Sequence, residues 1–402
     1  MDTFNIRKEF PFFEYNQGMV FFDNASTALK PKIVIDAVTN YYEKYGVNAH
    51  RGDYTLSYEV DLLIKDSEKK VANFINAKRE EIIFTYGTTH ALNLVAYGYV
   101  SKNIEAGDEI LISELEHSSN ILPWFRVAET TNAKIKYVEL ENKTITLDSL
   151  KRSITPKTKF IALAHTSNVL GDTIPVKEIC EYASKKGIIT IIDGAQAVPH
   201  FKVDVKDLGC DFYAFSGHKL GSPTGVGVLY ARERFITKIE PLILGGGMNR
   251  KVYKEGNFSV YETTRKFEAG TPNIEAIIGL GAIIDFINCI GIDNITEYVL
   301  NLRDYALKRM QELDNVEIYN EHIKGSTIAF NIKGVFAQDA ASLFNKYNIC
   351  LRAGQHCAKL IDGVINTYAT LRCSFYYYNT YEEIDRFIEV CKKGSDFLDA
   401  YF

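Results

Sequence analysis

Residues 211–219 read Asp-Phe-Tyr-Ala-Phe-Ser-Gly-His-Lys. Phe212, Ala214 and Phe215 predict a buried strand, which Ser216, Gly217 and His218 end. Lys219 is thereby placed on a turn at a strand's carboxyl end, where open α/β sheets bind ligands. A lysine amine held in a dry, polar pocket can form a Schiff base with an aldehyde cofactor. Alone, Lys219 reads more readily as an ordinary surface lysine, because lysines are mostly exposed. The residues elsewhere in the chain tip the balance.

Asp193 closes the apolar run Ile188–Ile192, in Ile-Ile-Asp-Gly-Ala-Gln. A carboxylate there is costly unless partnered. A pyridine nitrogen would be one partner, kept protonated by the pairing so that the ring can accept electrons. Asp-Gly is also a common turn. Tyr86-Gly87-Thr88-Thr89-His90 joins a predicted strand to a predicted helix. Hydroxyls and backbone N–H groups at a helix N-terminus suit a phosphate, although threonine also caps helices. Ser216 and His218 could add donors from the lysine turn. His117, in Glu-Leu-Glu-His-Ser-Ser-Asn, follows another strand and could stack on a planar cofactor or move a proton.

Cys357 lies in Leu-Arg-Ala-Gly-Gln-His-Cys-Ala, close to Arg352 and His356. Cationic neighbours favour a thiolate, and a polar, glycine-bearing stretch predicts an exposed loop. The other six cysteines sit in more apolar contexts and read as buried or incidental. Arg372, in Leu-Arg-Cys-Ser, offers a guanidinium fork for an α-carboxylate. Its plainer reading is a weak surface ion pair.

These residues need a scaffold. Strand patterns fall at 19–22, 81–84, 109–112, 134–138, 160–164, 188–192, 212–215 and 226–230, with helical segments between most of them. Two of the helices are 58–75 and 88–98. This alternation predicts an α/β fold with a mostly parallel sheet. Gly245-Gly246-Gly247 interrupts it, and a long connection runs through Thr271-Pro272. Helices at 273–290, 297–313 and 338–347, strands at 316–319 and 326–332, and a capping box at Thr380-x-x-Glu383 predict a smaller α+β domain. The division expected is a segment 1–20 packing on the small domain, a large domain 21–272 and a small domain 273–402.

Composition limits the function classes. The chain has 402 residues and a net charge of −5, with no basic stripe for nucleic acid. Met1–Phe10 carries four charged residues and no apolar core, so it does not read as a signal peptide. No apolar run is long enough for a membrane span. Seven scattered cysteines without CxxC spacing argue against structural zinc or a disulfide framework, and for a reducing cytoplasm.

Together these segments resemble the class V aminotransferase family of pyridoxal 5′-phosphate (PLP) enzymes, and within it the cysteine desulfurases. The likeness runs from Phe22-Asp23-Asn24-Ala25-Ser26 to the final helix. It rests on Asp193-Gly-Ala-Gln196, Ser216-Gly-His-Lys219, Arg352-Ala-Gly-Gln-His-Cys357-Ala, Phe267-Glu-Ala-Gly-Thr271-Pro-Asn, Asn48-Ala-His50-Arg51-Gly and Ser167-Asn168-Val-Leu-Gly. The cysteine segment is similar to the Suf-type subgroup. The resemblance implies a large PLP-binding domain of aspartate aminotransferase-like fold type I, and a homodimer. It also implies roles. Lys219 holds PLP as a Schiff base and then transfers protons. Asp193 pairs with the pyridine nitrogen, Gln196 bonds the ring hydroxyl and His117 stacks on the ring. Thr88, Thr89, Ser216 and His218 hold the phosphate, with Thr271 reaching in from the second subunit. Arg372, Asn168, Arg352 and His50 hold the substrate. Cys357 takes sulfur from L-cysteine as a persulfide and passes it to a Suf-type acceptor protein for Fe–S cluster assembly, while alanine leaves. No metal is implied. Two positions depart from the subgroup's pattern, which has histidine at Gln355 and often at Ser118.

Other readings stay open at this level. Selenocysteine lyase would use the same pocket on L-selenocysteine. A transaminase or epimerase would have no need of Cys357. A non-catalytic scaffold would have no need of Lys219.

Overall fold

The computed structural model describes residues 3–49 and 52–394. At its centre is a seven-stranded sheet. Its order is Ile82–Thr85, Gly227–Ala231, Phe212–Ser216, Ile189–Asp193, Thr158–Ala164, Glu109–Ile112 and Lys134–Tyr137. Gly227–Ala231 runs antiparallel to both its neighbours, and the other six strands are parallel to one another. Both faces are covered, as a parallel sheet requires. Ile161 and Leu163 enter one apolar cluster, and Phe160 and Ala162 enter the other. Tyr213 and Phe215 divide from Phe212 and Ala214 in the same way. Side chains alternate across a strand, so a continuous apolar run fills two cores at once.

The helix Ile274–Ile290 packs against Lys32–Asn40 and Thr55–Phe74. It is buried on most sides, which is why it is apolar almost throughout. It is sequentially in the predicted small domain but lies against helices of the large one.

A second, antiparallel sheet has the order Val316–Ile318, Thr327–Ile332, Thr370–Ser374, Arg352–Gly354. The helix Tyr381–Lys392 begins at the expected capping box, with Thr380 and Glu383 reciprocally bonded. The N-terminal segment reaches this region. Arg7 donates to the Glu383 carboxylate at 2.6 Å and to the Tyr378 carbonyl at 2.8 Å. Val20–Phe21 pairs in parallel with Ile349–Cys350.

The two sheets are joined at the loop 168–171. Asn320 Nδ2 donates to the Leu170 carbonyl at 2.7 Å, and Thr327 Oγ1 donates to the Val169 carbonyl at 3.1 Å. Gly325 meets the Gly171 carbonyl so closely that a Cβ there would collide with it.

Two local expectations need correction. The polar, glycine-bearing stretch from Arg352 predicts a loop, whereas Arg352–Gly354 is an edge strand beside Thr370–Ser374. The connection after Gly247 contains a hairpin, Asn249–Val252 with Phe258–Val260. Among the described residues, no single helix is long and apolar enough to cross a membrane.

Candidate active site

Five parallel strands of the large sheet end at one cavity, and the second sheet closes its other side. Each strand end delivers a polar group where the apolar run stops. Ile189–Asp193 ends in Asp193 itself, and Phe212–Ser216 leads directly into the turn that carries His218 and Lys219. Ile82–Thr85 leads to Thr88 and Thr89, Glu109–Ile112 to His117, and Thr158–Ala164 to Asn168. Arg352, Cys357 and Arg372 come from the second sheet and its loop.

Asp193 and Lys219 form the electrostatic centre. Burial pushes the Lys219 amine down to about 8; Asp193 opposes this, while Arg372 and Arg352 add to it. Burial raises the Asp193 carboxyl, and Lys219 opposes that. Asp193 accepts from the Ala195 N–H at 2.9 Å. Gly194 is required between them, because any Cβ would strike the Tyr213 ring. Gln196 also lines the cavity, and its Nε2 donates to the Ala25 carbonyl at 2.8 Å.

Hydroxyls gather at one helix start. The N-cap of Thr88–Gly98 is Gly87, which supplies no side-chain cap. Instead Ser216 Oγ accepts from the Thr88 N–H at 2.8 Å and lies 2.7 Å from Thr88 Oγ1. Thr89 Oγ1 lies 2.7 Å from Ser119 Oγ. A helix start lined by four hydroxyls has the donors that suit a phosphate.

His117 Nδ1 accepts from the Ser119 N–H at 3.1 Å, so the neutral ring carries its proton on Nε2. Burial, then the charges of Lys219, Arg352 and Arg372, lower His117 to about 4. His218 is lowered to about 4 by burial and by Lys219 and Lys30. Both imidazoles are therefore neutral at pH 7.

Arg372 is 2% exposed, not a surface residue. Its Nη1 donates to the Asn168 carbonyl at 2.7 Å, and its Nη2 donates to Ser26 Oγ at 2.9 Å and Asp23 Oδ1 at 3.2 Å. Its Nε and the Asn168 Oδ1 are buried without a protein partner. Buried polar atoms are rarely left so, and these two mark a place for a polar ligand. Cys357 is exposed, and Arg352 Nη2 lies 3.6 Å from its sulfur.

The residues present fit PLP. A carboxylate, an amine, a hydroxyl-lined helix start and a neutral imidazole share one cavity, which matches a pyridine nitrogen, an aldehyde, a phosphate and a flat ring.

Two expected residues are not brought in. Thr271 is exposed and lies outside the cavity of this chain. His50 lies outside the described residues. Four further residues, none of them given a role from the sequence, support the site. Ser26 and Asp23 support the two arginines. Buried Glu116 accepts from Ser113 Oγ and Asn120 Nδ2, both at 2.6 Å, beneath the His117 turn. Ser118 Oγ donates to the Cys357 carbonyl at 2.8 Å. A polar residue directly after the apolar strand 19–22 was the available signal for Asp23.

The family described as aminotransferase class-V matches residues 20–387. The chain is 42% identical to a probable cysteine desulfurase of Halalkalibacterium halodurans, over 100% of both chains. The apo structure of a cysteine desulfurase from Thermococcus onnurineus NA1 superposes with a TM-score of 0.92 at 37% identity, covering 97% of each chain. An S-sulfonic acid form of a cysteine desulfurase from Escherichia coli gives 0.92 at 33% identity, covering 98% of this chain and 99% of that one.

Proposed function

We infer that this chain, which belongs to the aminotransferase class-V family, is a cysteine desulfurase. It removes sulfur from L-cysteine, releases L-alanine and carries the sulfur as a persulfide on Cys357 until an acceptor takes it. The observation that carries this reading is an exposed thiol beside Arg352, on the same cavity as Lys219 and Asp193.

PLP, the cofactor implied by the family, supplies an electron sink for the substrate's carbon skeleton when bound. Lys219 and Asp193 would hold its aldehyde and ring nitrogen, with Gln196 at the ring hydroxyl and His117 at the ring face. Thr88, Thr89, Ser216 and His218 would hold its phosphate, joined by Thr271 across a homodimer. Lys219 has the amine for proton transfer at the substrate Cα, because an amine lowered to about 8 is partly neutral near pH 7. The free Arg372 Nε–H fits the substrate carboxylate, and the second N–H of Asn168 Nδ2, whose first goes to the His356 carbonyl, would join it. At Cys357 the S–S bond forms as the substrate's C–S bond breaks. The C–S electron pair stays with the carbon skeleton, which takes up a proton and leaves as alanine. The guanidinium of Arg352 favours negative charge on the attacking sulfur.

We assign the cofactor to the large unit, 21–272, and the nucleophile to 273–402, with the first twenty residues resting on the latter. A Suf-type acceptor that collects sulfur for Fe–S clusters completes the reading. Cys357→Ala should keep the cofactor's absorbance and still bind cysteine, yet release no sulfide. Sulfide release by that variant at the parent rate would remove Cys357 from the reaction.

A further inference from the structure

We propose that Ser118 is a positioning residue for the nucleophile: its hydroxyl fixes the Cys357 carbonyl and so couples the His117 turn to the thiol. This rests on the reading of Cys357 as the sulfur-accepting group.

The backbone at the thiol is unusual. His356 and Cys357 have φ of 52° and 58°, both in the left-handed region and neither a glycine. Two such residues in succession are disfavoured, and they persist only where surrounding contacts hold them. The contacts are identifiable. Asn168 Nδ2 donates to the His356 carbonyl at 2.8 Å. His356 Nε2 lies 2.8 Å from Thr370 Oγ1. The next carbonyl, that of Cys357, accepts twice from one residue, from the Ser118 N–H at 2.7 Å and from Ser118 Oγ at 2.8 Å.

Those two bonds cross between the halves of the site. Ser118 follows His117 and opens the short turn Ser118–Asn120. Ser119 in that turn holds both the His117 ring and Thr89. The nucleophile's backbone is therefore tied to the wall that faces the cofactor, across most of the chain's length. The N–H bond forms with any residue at 118. The Oγ bond needs a short hydroxyl side chain. A larger or apolar side chain would leave the Cys357 carbonyl with one donor and free the loop to leave its strained conformation.

The test compares Ser118→Ala and Ser118→Thr with the unaltered holoenzyme. Two quantities are read: amide hydrogen exchange over residues 354–360 without cysteine, and single-turnover persulfide formation on Cys357. Loss of one hydrogen bond predicts roughly three- to tenfold faster exchange and a similar slowing of persulfide formation in Ser118→Ala. Ser118→Thr keeps the hydroxyl and should stay within about twofold of the parent. The proposal is overturned if Ser118→Ala forms persulfide at the parent rate, or if Ser118→Thr is as impaired as Ser118→Ala. The underlying reading fails separately: the unaltered enzyme would then form no persulfide on Cys357, whatever the exchange rates show.

Discussion

Replacing Asp193 by asparagine tests the electrostatics of the cavity at its centre. Burial lowers Lys219 to about 8, and Asp193 is the leading influence that resists the fall. At pH 7.5 a pKa of about 8 leaves about a quarter of Lys219 neutral, against about one in a thousand for an ordinary lysine. Asp193→Asn removes the resisting charge while burial and the two arginines remain. Lys219 should then drop by about one unit, the usual effect of one nearby opposite charge. Its neutral fraction at pH 7.5 would rise to about three quarters. The assay is brief reductive methylation of cofactor-free protein with formaldehyde and cyanoborohydride, read at Lys219 by mass spectrometry from pH 6 to 10. The unaltered protein should show a labelling midpoint near 8, and the variant a lower one. A midpoint shared with the exposed lysines, or one that rises on substitution, would mean that burial and Asp193 do not set the Lys219 amine.

Two further substitutions probe the supports. Glu116 is pushed up to about 7 by burial, with Asp193 adding slightly and three hydrogen bonds opposing. A carboxyl whose folded value is raised stabilises the protein fully below its unfolded value near 4.5, and loses that contribution as pH rises through about 7. The loss is on the order of 3 kcal/mol, so Glu116→Gln should flatten the decline of Tm between pH 4.5 and 7; an unchanged pH profile would contradict this. Gly194→Ala would drive a methyl into the Tyr213 ring and should destabilise the protein by about 3 kcal/mol or more. A Tm within about 2 °C of the parent would show that the strand end can relax.

The sequence exposes those parts of the site that follow local apolar runs. Asp193, Lys219 and the helix Thr88–Gly98 could be placed because each lies where a continuous buried strand gives way to turn or capping residues. The second sheet was harder to read. Arg372 has an apolar neighbour on each side but is itself polar, and its burial is set by Asn168, Asp23 and Ser26, all distant in sequence. No local pattern carries such partners. Cys357 was legible as exposed, whereas its left-handed backbone and the hold of Ser118 depend on a contact across 239 positions. Cys289, expected to be buried or incidental from its apolar context, is exposed, because the last turn of Ile274–Ile290 presents Asn288 and Cys289 to water while Ile287 stays buried.

In the proposed reaction, sulfur from cysteine comes to rest on Cys357. Holoenzyme mixed with one equivalent of L-cysteine, quenched and digested, should carry one added sulfur on the Cys357 peptide, with one alanine released. Lys219→Ala should show neither. Alanine released with the sulfur on exposed Cys289, or on no cysteine at all, would contradict the account.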